Sequence, residues 1–158
     1  MSTMLQNLHP VKGLDAVADA FATTVYSDVV NMKNWESVMF ILHKGVGATG
    51  TSTLTVQACD DVVPTNRSAV PFYYKTFLTS NSDVSAALTR ATASGFLTTA
   101  GSSQIYAVEV RGQDLASTGY QYVQLKCVES VDSEVLGGIL IIMGNPKNPQ
   151  DIPATVIA

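Results

Sequence analysis

The sequence predicts an all-β protein, an antiparallel β-sandwich of jelly-roll-like type with extended N- and C-terminal arms. Three observations carry this expectation. After residue 22, β-branched and aromatic residues recur in short runs separated by Gly, Asn, Asp, Ser and Pro. One run, residues 51–59, alternates cleanly, with Leu54, Val56 and Ala58 facing one way and Thr53, Thr55 and Gln57 the other. Scarcely any stretch carries a long helical pattern, which disfavours a parallel sheet with crossover helices. At 158 residues and 16.8 kDa the chain suits one domain.

Residues 1–22 read as an N-terminal arm or short helix, because Leu14, Val17, Ala18 and Phe21 share one helical face. Strands are expected at 23–30 and 35–44, the second ending in a glycine-rich turn at 45–50. The alternating strand 51–59 follows. Acids, a proline and an asparagine in 60–67 then interrupt the pattern, as a hairpin or a crossing between sheets would require. Residues 70–78 resume it with Phe72, Tyr73, Tyr74 and Phe77. Residues 83–94 space Val84, Ala87, Leu88 and Ala91 helically, but Ser and Thr weaken the helix, so a loop with one helical turn is expected. Strands at 103–110, 120–128 and 136–143 complete the domain, 23–143. Residues 144–158 carry three prolines and an apolar tip, an extended C-terminal arm that packs back on its own domain or on a neighbour.

Charge is unusually sparse. Charged residues make up 14% of the chain, against about a quarter in a typical soluble protein. The net charge of −4 lacks the basic excess that phosphate binding uses, so nucleic acid is a poor partner. The longest apolar runs, 38–42 and 136–143, fall far short of the roughly 20 residues of a spanning helix, which argues against a membrane. The amino terminus lacks the basic and apolar segments of a secretory signal, so synthesis in the cytoplasm is expected. A surface reserved for other subunits accounts for the low charge.

No chemistry-bearing motif stands out. His9 and His43 sit in no recognisable constellation, and Gly-x-Ser-x-Gly, His-Glu-x-x-His, Cys-x-x-Cys and Walker-type loops are absent. Gly45, Gly47 and Gly50 match Gly-x-Gly-x-x-Gly, but the strand-like 51–56 that follows cannot supply the helix amino terminus on which a pyrophosphate rests. Asp60 and Asp61 read as a strand end and turn cap rather than a metal or glycosidase site. Cys59 and Cys127 read as free, half-buried thiols; a bridge stays open if their strands face each other across a sandwich. Trp35, Tyr73, Tyr74, Tyr106, Tyr120 and Tyr122 suit core and cross-strand packing, with a sugar-binding groove as the alternative use. No catalytic residue, cofactor or metal is therefore expected.

Residues 34–47 (NWESVMFILHKGVG), 51–61 (TSTLTVQACDD) and 69–75 (AVPFYYK) resemble a family of small virion proteins of tailed bacteriophages. So do 104–110 (QIYAVEV), 119–125 (GYQYVQL) and 136–140 (LGGIL), and the resemblance spans about 23–143. It implies a non-enzymatic structural protein similar to capsid decoration, or cement, proteins, which bridge major capsid protein subunits on the head exterior and self-associate as dimers or trimers. A tail, head-tail connector or glycan-binding host-attachment component is the alternative. On this reading the apolar, weakly folded ends contact the capsid or a sister subunit, through Leu5, Leu8, Leu14 and Phe21 at one end and Ile152, Val156 and Ile157 at the other.

Overall fold

The computed structural model describes residues 3–46, 49–78 and 84–148. The chain forms strands β1 (Leu8–Val17), β2 (Thr24–Tyr26), β3 (Val30–Asn31), β4 (Trp35–Lys44), β5 (Thr51–Cys59), β6 (Arg67–Val70) and β7 (Phe72–Phe77). It continues through β8 (Thr89–Ala91), β9 (Phe96–Leu97), β10 (Gln104–Arg111), β11 (Tyr122–Val131) and β12 (Gly137–Pro146), with one-turn helices α1 (Met4–Asn7) and α2 (Gly112–Leu115). Two antiparallel sheets pack as a β-sandwich. Each has six strands: the larger, with the longer strands, has the order β1-β12-β4-β10-β7-β8; the smaller has β2-β11-β5-β6, with β3 also on β11 and β9 also on β5. The pairings nest: β1 with β12, β2 with β11, β4 with β10, β5 with β6.

The core follows from period-2 alternation. Val38, Phe40 and Leu42 of β4 meet Leu54, Val56 and Ala58 of β5 and Val123, Leu125 and Cys127 of β11 in one buried cluster. Trp35, Tyr106, Phe40 and Phe72 are its largest fully buried members. Tyr106 keeps its hydroxyl satisfied, accepting from the Thr99 amide at 2.8 Å and donating to Gln104 Oε1 at 2.8 Å. Phe96 on β9 stacks on Tyr74 of β7 at 3.9 Å and 6°, tying the two sheets together at one edge.

Several expectations needed correction. The amino-terminal segment is not an arm or an amphipathic helix beyond α1: residues 8–17 form β1, an edge strand on β12. A register shift between Lys12 and Leu14 breaks the alternation, which is why Leu14 and Val17 mimic helical spacing. Gly13 sits at that shift because a Cβ there would lie 2.8 Å from Ile141 Cγ1. The expected strand 23–30 is two pieces, β2 and β3. Between them the Ser27 hydroxyl accepts from the Leu125 amide at 2.9 Å, substituting for a backbone carbonyl in the ladder.

The expected strand 70–78 is likewise broken, at Pro71. Residues 60–66 close the β5–β6 hairpin, and Pro71 carries the chain from the smaller sheet to the larger with both neighbours, Val70 and Phe72, buried. Proline has no amide to lose from a ladder, so the crossing leaves no donor stranded. Within 83–94, Thr89–Ala91 is strand β8 and not a helical turn. Residues 137–146 form one strand, so the start of the expected C-terminal arm is sheet.

Candidate functional site

The two outer faces of the sandwich differ in chemistry. On the smaller sheet Thr53, Thr55 and Gln57 of β5 lie half-buried beside Gln124, Lys126 and Val128 of β11, a mostly polar face in which Gln124 is itself buried and donates to Gln57 Oε1 at 3.0 Å. The larger sheet presents the opposite. Cross-strand register places Pro10, Ile142 and Met39 in one row, Leu140, Ile41 and Ala107 in the next, and Ile105 beside Phe77 in a third. Leu140 is 45% exposed and Ile105 37%, and the others are half-buried or exposed. A shallow groove of about 550 Å³ runs over this surface between β1 and β10.

This face explains the sequence runs 38–42 and 139–143, which are apolar at successive positions rather than alternate ones. A strand reads that way when both of its faces are to be buried. One face of β4 and β12 is buried by the core; the other has no cover within the described residues. Charges and a histidine rim the patch: Lys12 and Asp15, joined at 3.3 Å, His43, Lys75, Glu109, Arg90 and Arg111. Arg90 and Arg111 both lie over the Tyr73 ring, at 5.5 and 5.0 Å. An apolar centre with a polar rim is the anatomy of a protein-binding surface.

Of the expected contact residues, Leu5 is 79% exposed on α1 beside Met4 at 76%. Leu8 is half-buried opposite Gly144, and Leu14 is half-buried against the core. Phe21 is not the surface side chain expected: it is 3% exposed, a core residue whose ring closes over Gly137. Ile152, Val156 and Ile157 lie outside the described residues. Reasoning from the apolar ends missed the sheet face; the signal for it was the non-alternating pattern in β4 and β12.

The candidate chemical residues are dispersed. His9 stacks on Trp35 at 5.9 Å, whereas His43 is exposed beside Ile105 on the opposite part of the sheet. Asp60 caps its hairpin, its carboxylate accepting from Thr65 Oγ1 at 2.6 Å, Asn66 Nδ2 at 2.8 Å and the Thr65 and Asn66 amides at 3.0 Å. Those bonds, led by the two side chains, hold its carboxyl well below the usual range. Among the described residues no three His, Cys, Asp or Glu side chains converge as a metal site would need. No described helix is long and apolar enough to cross a membrane.

Cys59 and Cys127 are free, fully buried rather than half-buried, and lie on neighbouring strands of the same sheet, not across the sandwich. Cys127 pairs with Leu54 and Cys59 with Tyr122, so they are five positions apart, roughly 17 Å at about 3.4 Å per residue. A bridge spans at most about 7 Å between Cα atoms. Burial pushes the thiols up to about 11 and about 12, so neither is a ready nucleophile. No family model, curated protein or solved structure matches the chain.

Proposed function

We propose that this chain is a non-enzymatic structural subunit of a phage virion, a decoration protein that sits on the head exterior and bridges major capsid protein subunits. The observation that carries the reading is the asymmetry of the sandwich: one outer face polar, the other apolar across four adjacent strands. A free monomer gains nothing from such a face, whereas a lattice-bound subunit covers it. Removing the remaining accessible part of each large apolar side chain from water is worth on the order of 1 kcal/mol at about 25 cal/mol/Å². Contacts that exist only in the closed shell then stabilise it by mass action, and repetition over the lattice multiplies them.

The virion setting rests on the sequence resemblance over 23–143 alone. The nested pairing of β1 with β12, β2 with β11, β4 with β10 and β5 with β6 supports a jelly-roll winding, with β10 lying between β4 and β7. Exposed Met4 and Leu5 on α1 offer a second contact at the amino-terminal end. Sugar stacking is less favoured, because cationic side chains already cover a face of Tyr73 and of Tyr26.

The test is addition of purified protein to heads lacking it, followed by electron microscopy and occupancy counting. Hundreds of copies per head, lost when Leu140 is changed to Lys, are expected. A dozen or fewer copies at a tail or portal position would instead assign the chain to the connector or tail.

A further inference from the structure

We propose that a cavity at the β3–β4 end of the sandwich receives the β5–β6 hairpin loop, residues 60–66, of a second copy of this chain, exchanged reciprocally about a two-fold axis. The cavity has a volume of about 720 Å³. Lys33, Arg111 and Lys147 ring it against one acid, Glu36, over the buried side chains of Met32 and Leu115. A chain of net charge −4 thus places three of its nine bases around one hollow. Among the described residues no ion pair joins Glu36 to them; Arg111 reaches Glu109 at 3.8 Å and Lys147 donates to the Lys33 carbonyl at 2.9 Å.

The complement lies at the same end. Cys59, where the hairpin loop leaves β5, pairs with Tyr122, and the adjacent Gln121 lines the cavity and accepts from the Met32 amide at 2.8 Å. The loop carries Asp60 and Asp61 and no base, and Val63 at its tip is 74% exposed. Asp60 is committed to closing the loop, whereas exposed Asp61 accepts, among the described residues, from the next amide at 2.7 Å. The loop is therefore rigid before binding, which lowers the ordering cost of docking. Carboxylate meets the cationic ring and Val63 meets the apolar floor. Because loop and cavity are neighbours, one two-fold rotation satisfies both contacts at once, as an isologous interface requires. Tyr120 in the wall packs against the core, so the site is built from charge and an apolar floor, not from a stacking platform.

Sedimentation velocity on the full chain tests this. The wild type is expected to dimerise at tens of micromolar and to weaken as salt rises past about 0.1 M, where the Debye length is about 10 Å. Lys33→Glu with Lys147→Glu, and separately Asp61→Lys, should each weaken dimerisation at least tenfold. Mixing the two variants should restore it, since each loop then meets a cavity of opposite sign; misfolded variants could not be rescued in this way. A wild type that stays monomeric at 200 µM, reversals that leave dimerisation unchanged, or a mixture that stays monomeric would each overturn the proposal. Binding of a free acidic peptide without self-association would also overturn it, by assigning the cavity to another partner.

Discussion

Leu140 on β12 stands directly across from Ile41 on β4, on the surface of the larger sheet that faces away from the core. Their neighbours in the same strands, Ile141 and Phe40, are fully buried on the inner side. Two strands are therefore apolar on both faces, while among the described residues only one face is covered by the fold. The proposed role follows from that surplus.

Changing Leu140 to Lys separates attachment from folding. The side chain is already 45% exposed and its partner row includes Lys12 at the rim, so the midpoint of urea unfolding should shift by less than about 1 kcal/mol equivalent. Head occupancy should fall at least tenfold in the same protein. Parallel loss of stability and occupancy would mean that the face is structural.

Lys44 is buried at 2% exposure with no ion-paired acid among the described residues, and its ammonium donates to the Gly50 carbonyl at 2.9 Å and the Thr99 carbonyl at 3.0 Å. It staples the β4–β5 and β9–β10 connections. Burial lowers its pKa, so between that lowered value and about 10.4 the unfolded chain binds more protons than the folded one. Stability from this group therefore rises with pH through that window. Lys44→Met should lose this slope in urea titrations and, by leaving two carbonyls unpaired, cost about 1–3 kcal/mol at neutral pH.

Asp60 has the opposite sign. Its carboxyl is held low, so its contribution to the hairpin is complete above the unfolded value near 3.9 and is lost as pH falls through the folded value below it. Carbon-detected NMR titration should show Asp60 still ionised at pH 3, with the Thr65 and Asn66 amides protected. In Asp60→Ala that protection should vanish at all pH values, while the core strands keep theirs.

The thiols of Cys59 and Cys127 should resist an aromatic disulfide reagent at pH 8 in the native protein and react fully in denaturant. Mass spectrometry without reductant should find no intramolecular bridge. A bridged species in folded protein would contradict the strand register.

How far the sequence could be read depended on what each pattern reports. Strands such as 35–44 and 51–59 were legible to the residue, because period-2 alternation or a continuous apolar run directly encodes which faces are buried. β1 was not, because a register shift at Gly13 and an edge-tolerated Pro10 disguise it as helical spacing. The break at Pro71 was hidden for a different reason: proline marks a discontinuity without saying whether the chain turns back or changes sheet.

By itself, then, the sequence determined the all-β sandwich class, the free thiols as the preferred state and a chain short of charge, since composition and periodicity are local properties. Only the tertiary structure decided where that shortage lies. Phe21 and Leu140 are both large apolar residues; one closes the core over Gly137 and the other faces outward beside Ile41. Which of two equally apolar faces meets the opposite sheet is set by strand pairing between residues far apart in the chain, and no local pattern records it.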